Sequence, residues 1–243
     1  LGQNVNAYGK AGLNTPLRFH ELLYLIAETP GIERIRFMTS HPRDFTPELV
    51  RAFRNISALM EHIHLPVQSG NNRILGLMRR GHSVEDYMGL IEDIKSSVPD
   101  VAISTDIIVG FPGETENEFE DTLKLMEWVG FESSYMFSYS PRPGTKAAEF
   151  ADSVPEETKA HRLKQLMVEQ ERISKARGER FLGKTTQVLI EKQTARAESS
   201  FKGRNRQNWL VGFSGGEKVL KPGDTVDVLI TDLAKSALSG RYQ

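Results

Sequence analysis

The sequence predicts an α/β chain: a partial parallel (β/α) barrel followed by a small antiparallel β-barrel. Three observations predict it. From residue 1 to about 150, short apolar runs alternate with amphipathic helical stretches. The run 101–109 (VAISTDIIV) is nearly all apolar and β-branched, as expected of a parallel strand covered on both faces. From about residue 182, β-rich runs are separated by turn clusters such as Ser214-Gly215-Gly216 and Lys221-Pro222-Gly223-Asp224. A doubly wound open sheet is the alternative for the first part.

Strands are expected at Arg34–Met38, His62–Val67, Val101–Val109 and Ser134–Tyr139. The helix starts carry their own signals. Thr15-Pro16 and Thr46-Pro47 place a capping residue before a proline at the first helical position. Ser83 with Asp86, Thr115 with Glu118 and Ser153 with Glu156 have capping-box spacing. Behind Ser83, the residues Val84, Tyr87, Met88, Ile91 and Ile94 recur at helical period; behind Thr115, so do Phe119, Leu123, Met126 and Val129. Met126, Phe131, Met136 and Phe137 read as core. Residues 155–181 read as a connecting helix on the outside of the barrel, with an apolar stripe of Leu163, Leu166, Met167 and Ile173. Beyond it, 185–192, 208–213 and 225–231 read as strands. The expected division is 1–154, 155–181 and 182–243. Leu1-Gly2 reads as the tail of a strand, and an opening without Met as that of a fragment.

The 243 residues are 39% hydrophobic and 26% charged, with a formal net charge of −1. These values are ordinary for a globular protein. There is no cysteine, which excludes disulfides and thiolate metal sites within this chain. No apolar run is long enough to span a bilayer. The charge is uneven: from Leu182 onward ten Lys/Arg face six Asp/Glu, so the C-terminal module is basic and the rest acidic. That balance fits a grip on nucleic acid, or simply a solvated surface.

Gln68 and Asp106 sit at or near the ends of predicted strands, where α/β proteins bind ligands. An amide and a carboxylate there could chelate the two hydroxyls of a ribose; alternatively they cap a helix and satisfy loop backbone. Gly110-Phe111-Pro112-Gly113-Glu114 joins a strand to a helix and allows close backbone approach to a ligand, or is a plain connecting turn. Arg80 could pair with a carboxylate, or serve solubility. His41, His62, His64 and His82 match no zinc spacing, and no metal is assigned to them. His62 and His64 share one strand face and are expected to be buried and hydrogen-bonded. Ser140-Pro141-Arg142-Pro143-Gly144-Thr145 reads as a rigid turn that lines the same edge.

Taken together, 1–9 (LGQNVNAYG), 39–42 (TSHP), 64–70 (HLPVQSG), 80–83 (RGHS), 105–115 (TDIIVGFPGET) and 140–145 (SPRPGT) resemble the radical S-adenosylmethionine methylthiotransferases. Within these the chain is similar to the tRNA-2-methylthio-N6-dimethylallyladenosine synthase branch, and 182–243 resembles the TRAM domain. The resemblance covers essentially the whole chain. It implies a radical SAM barrel in the cytoplasm, acting with S-adenosylmethionine, two [4Fe–4S] clusters and an electron donor. It also implies methylthiolation of C2 of an N6-isopentenyl-type adenosine beside the anticodon, with the tRNA anticodon stem-loop as partner and no membrane.

By the same resemblance, Gln68 and Asp106 hold the ribose, Arg80 meets the methionine carboxylate, and Ile108 with Gly110 and Phe111 lies against adenine. Ser40, Asn4 and the loop after Tyr139 line the pocket. For RNA contact the basic cluster Lys202, Arg204 and Arg206 is expected. The family's cluster cysteines are absent from this sequence, so the chain alone is expected to be inactive. Two rival expectations are a ribosomal-protein aspartate methylthiotransferase and a non-catalytic RNA-binding module.

Overall fold

The computed structural model describes residues 4–10, 17–151, 154–194, 200–215 and 219–243. Leu1-Gly2, the Thr15-Pro16 pair, Ser153 and Gly216 lie outside the described residues. The helices are α1 (Phe19–Ala27), α2 (Pro47–Asn55), α3 (Asn72–Leu77), α4 (Val84–Ser97), α5 (Glu116–Val129) and α6 (Glu156–Gly178). The strands are β1 (His62–His64), β2 (Ala102–Val109), β3 (Ser133–Ser138), β4 (Thr185–Gln193), β5 (Ser200–Asn205), β6 (Leu210–Ser214), β7 (Thr225–Ala234) and β8 (Ala237–Tyr242).

β1, β2 and β3 form a parallel sheet in sequential order. Right-handed crossovers that always advance in one direction place α4 and α5 on one face, which is the arc of a barrel rather than a doubly wound sheet. The helix-covered face carries Ile63, Ile103, Ile107 and Val109, all buried. The register puts His62, His64, Ser104, Asp106, Ile108, Tyr135 and Phe137 on the other, concave face. Phe137 is therefore not core: it is 53% exposed and Tyr135 54%. Met126, on the helical period behind Thr115, and Phe131, just beyond that helix, are core as expected.

The expected strand 34–38 shrinks to one bridge, Ile35 with Leu59. Its arginines serve another partner: Arg34 donates to the carbonyl of Arg204 and Arg36 to the side chain of Asn208. After His64 the proline at 66 has no N–H to give. The hydroxyl of Thr105 splices the ladder there, donating to the Leu65 carbonyl and accepting from Val67 N–H.

Thr46, Ser83 and Thr115 cap α2, α4 and α5 as their spacing implies. At Thr115 the box partner Glu118 also binds Arg73 through two oxygens. The Arg73 guanidinium first, then Thr115, holds the Glu118 carboxyl down at about 2. A depressed carboxyl contributes stability that is complete above its ordinary value of 4.5 and is lost as pH falls through about 2. The expected carboxyl NMR titration of Glu118 therefore has its midpoint near 2, and Arg73→Ala returns it toward 4.5.

On α6, Leu166 and Ile173 are buried, whereas Met167 is 56% exposed. Besides Gly178 at its end, the remaining buried positions are polar: Lys159, Arg162, Gln170 and Ser174. Lys159 pairs with Glu156 of the same helix and Arg162 with Glu114, while Gln170 donates to the Phe131 carbonyl and Ser174 to that of Glu132.

The last five strands close a barrel in the order β4-β5-β6-β8-β7. It is not wholly antiparallel, because β6 and β8 run parallel. Its core holds Val188, Ile190, Phe201, Val211, Phe213, Val228, Ile230 and Leu238. The barrel docks where the parallel strands begin. Arg206 forks onto Glu61, one residue before β1, and Trp209 donates to Glu132, one residue before β3. Among the described residues no helix is long and apolar enough to cross a membrane.

Candidate functional site

At the opposite end of the sheet, where the parallel strands finish, the chain makes several local departures from regular backbone. Thr39, Gln68 and Arg79 have positive φ of 63°, 75° and 57°, a region costly for residues with a side chain. Each is, or directly precedes, a residue that sequence reasoning assigned to the site. Gln68 is locked there by its backbone, which accepts from Ile108 N–H and donates to the Asp106 carbonyl. Gln68 and Asp106 thus sit side by side on the rim.

Arg80 joins them. Its backbone N–H caps α3 at the Leu75 carbonyl, and its guanidinium lies 3.4 Å from the Pro66 carbonyl. Burial lowers its pKa, and the charge of Asp106 acts in the opposite direction. His41 and His82 stack edge to face at 5.8 Å beside it. Burial first, and then the Arg80 charge, lowers His41 to about 4, and burial lowers His82 as well. Ser40 is buried against the same rim, and Asn6 ties His41 to the segment that carries Asn4. Asn4 donates to Asp44.

Several buried polar atoms here lack a partner among the described residues: Ser40 Oγ, Arg80 Nε, Asn4 Oδ1 and His82 Nε2. Such groups cost stability unless something satisfies them. A guanidinium, an amide and a carboxylate flanked by unsatisfied polar atoms fit the carboxylate, hydroxyls and ring nitrogens of a nucleoside that carries a free amino acid, such as S-adenosylmethionine. A [4Fe–4S] cluster does not fit, since the chain offers no thiolate.

The Gly110–Glu114 turn is built from within. Gly110 has φ +70°, and a Cβ on it would lie 2.4 Å from Lys159 Cγ. Its N–H is taken by Glu114, whose carboxylate is also paired with Arg162 at 2.9 Å. Phe111 packs into Tyr139 and Phe150. The turn therefore offers a ligand its backbone surface, not the Phe111 ring or the Gly110 N–H. Ile108 does face the concave side, opposite Phe137. The 140–145 turn is exposed, and Tyr139 anchors it by donating to the Ala147 carbonyl.

The three basic residues on and after β5 diverge. Lys202 is exposed. Arg204 pairs with Glu191 at 3.3 Å and donates to the Asn208 carbonyl. Arg206 is consumed by Glu61 and the carbonyls of Ser57 and Leu59, so it docks the barrel and has no fork left for a phosphate.

Residues 9–126 match the radical SAM superfamily and residues 179–242 the TRAM domain. The chain carries a radical SAM domain. It also carries a TRAM domain. The "tRNA-2-methylthio-N(6)-dimethylallyladenosine synthase" of Acetivibrio thermocellus is 46% identical over 240 residues, which is 99% of this chain and 49% of the relative. That of Protochlamydia amoebophila is 44% identical over 243 residues, 100% of this chain and 54% of the relative. The chain spans about half the length of the curated relatives it matches. A solved radical SAM enzyme, coproporphyrinogen III oxidase from Escherichia coli, aligns at 15% identity with a TM-score of 0.49 over 76% of this chain and 50% of that one.

Sequence reasoning missed Glu114, Arg162 and Glu132 as buried anchors. Charged residues read as surface, and their pairings span 45 to 77 positions, which no local pattern encodes.

Proposed function

We propose that this chain is the nucleoside-binding and RNA-binding part of a tRNA methylthiotransferase, acting on C2 of an N6-isopentenyl-type adenosine beside the anticodon. The observation that carries the reading is the rim constellation of Gln68, Arg80 and Asp106, on a chain about 45% identical to synthases of that name. When bound, S-adenosylmethionine supplies the adenosyl and methyl groups of the family's radical chemistry. The chain's own residues bind and orient it. Arg80 receives the amino-acid carboxylate. Gln68 and Asp106 receive the ribose hydroxyls, and Ile108 with the Gly110 turn gives the adenine a flat apolar wall. Ser40 and Asn4 complete the polar lining. The clusters need thiolates that this chain does not supply, and the electron donor is a separate partner that reduces one of them. A cytoplasmic setting follows from a tRNA substrate.

The division into 1–154, 155–181 and 182–243 belongs to this reading, with the last part as the RNA grip. There Lys202 contacts phosphate and Arg204 shapes the strand surface, while Arg206 holds the grip to the barrel. Lys202→Ala is expected to weaken tRNA binding uniformly and reduce its salt slope by about one.

The full-length gene, expressed in a strain whose tRNA lacks the methylthio group, is expected to restore 2-methylthio-N6-dimethylallyladenosine, read by mass spectrometry of digested tRNA. Asp106→Ala and Arg80→Ala are each expected to reduce that product at least tenfold at equal protein level. A methylthio group on a ribosomal-protein aspartate, with tRNA unchanged, would overturn the assignment.

A further inference from the structure

The concave face of the sheet carries a line of four polar side chains that sugar binding alone does not require. His62 Nε2 lies 3.0 Å from Ser104 Oγ, and Ser104 Oγ lies 3.0 Å from His64 Nδ1. His64 Nε2 in turn lies 3.3 Å from Asp106 Oδ1. His62, His64 and Ser104 are buried, whereas Asp106 is partly open at the rim. The Tyr135 ring, edge to face on His64 at 5.7 Å, fixes the plane of the imidazole.

Counting donors sets the direction of this line. A carboxylate only accepts, so a hydrogen bond from His64 to Asp106 across their 3.3 Å requires the proton on Nε2. With the ring neutral, Nδ1 is then a lone pair and the Ser104 hydroxyl donates to it. Ser104 can then only accept from His62, whose proton must sit on Nε2. The remaining atom, His62 Nδ1, is buried and has no partner among the described residues. As a lone pair it is tolerable; as an N–H it would be an orphaned donor, the rarer and costlier state. The reverse direction puts an N–H there, so the geometry selects one direction: His62 to Ser104 to His64 to Asp106.

We propose that His64 is a positioning residue, held by Ser104 and His62, that fixes the Asp106 carboxylate in the orientation that accepts nucleoside hydroxyls. The ribose part of this statement rests on the function proposed above; the positioning part does not. Without the chain, a half-exposed carboxylate on a strand end is free to change rotamer. With it, one oxygen is held beside His64 at 3.3 Å, so less freedom is lost when a nucleoside binds. The same reasoning explains why two histidines share a strand face with no metal-ligand group among the described residues.

The test uses this chain, labelled with 15N at histidine. Near neutral pH, His62 and His64 are both expected as the Nε2–H tautomer. The Asp106 χ1 couplings are expected to report one rotamer in the wild type and in His64→Gln, whose amide N–H can replace Nε2–H. They are expected to average in His64→Leu and partly in Ser104→Ala, with unchanged circular dichroism confirming the fold. S-adenosylmethionine titrated into the same proteins is expected to bind about tenfold more weakly to His64→Leu, with much of the loss recovered in His64→Gln. An Nδ1–H tautomer at His64, or unaltered Asp106 couplings in both His64→Leu and Ser104→Ala, overturns the proposal. Should Asp106→Ala bind S-adenosylmethionine as the wild type does, the nucleoside reading fails while the tautomers and couplings still decide the positioning role.

Discussion

Replacing Arg162 by alanine is expected to destabilise the protein by about 3–5 kcal/mol, the usual cost of removing one partner from a buried ion pair. Arg162 and Glu114 are both buried, 2.9 Å apart, and Glu114 also receives Gly110 N–H. The variant leaves that carboxylate uncompensated at the turn beside the candidate site. At this chain length the loss corresponds to a melting shift of about 2–4 °C per kcal/mol.

The effect has a pH signature. Burial already raises the Glu114 carboxyl above its ordinary value, against the pull of the Gly110 N–H and Arg162. A raised carboxyl contributes stability that is present below the unfolded value and is lost as pH rises through the folded one. Removing Arg162 raises the folded value further. The deficit of Arg162→Ala relative to the wild type is therefore expected to grow as pH rises above the ordinary carboxyl value of 4.5 in denaturant titrations. The pair of changes Glu114→Gln with Arg162→Met is expected to recover most of the loss; a deficit independent of pH would contradict this account.

Glu132→Ala is expected to have an effect of the same size, about 3–5 kcal/mol, but felt between the two barrels. One oxygen of Glu132 accepts from Arg177 and Arg180, and the other from the indole of Trp209. Without it, two guanidinium groups and a buried indole N–H lose their acceptor. Hydrogen exchange is expected to rise first in β6 and the last turns of α6, ahead of the parallel sheet. Glu132→Gln keeps an acceptor for Trp209 and is expected to lose less. Uniform exchange across the whole chain would show that Glu132 supports the fold globally rather than this junction.

Much of the architecture was legible because it is locally encoded. The capping boxes at Ser83 and Thr115, and the helical period behind each, mark α4 and α5 directly. Gln68 was legible because it follows an apolar run, and Asp106 because it is the one carboxylate inside the apolar run 101–109. The strand at 34–38 was not, because alternate arginines that look solvent-facing are bound to a segment about 170 residues away. β5 and β8 escaped notice because glycines and basic residues interrupt their alternation, yet those glycines are where strands cross closely. A Cβ on Gly203 or Gly240 would lie 2.0 Å or 2.3 Å from a neighbouring carbonyl oxygen. The His62–Ser104–His64 line was half legible: the period of two was visible, whereas the serine 40 positions on is placed by sheet register alone.

The β-barrel is fastened at the entry of the parallel strands, whereas Gln68 and Arg80 follow β1 and Asp106 is the fifth of the eight residues of β2. At about 3.3 Å per residue, Asp106 stands roughly 13 Å along β2 from its first residue. That distance acts as a ruler. An RNA engaged at both places must reach along the open flank past Tyr135 and Phe137, and a fragment shorter than the ruler can touch only one end at a time.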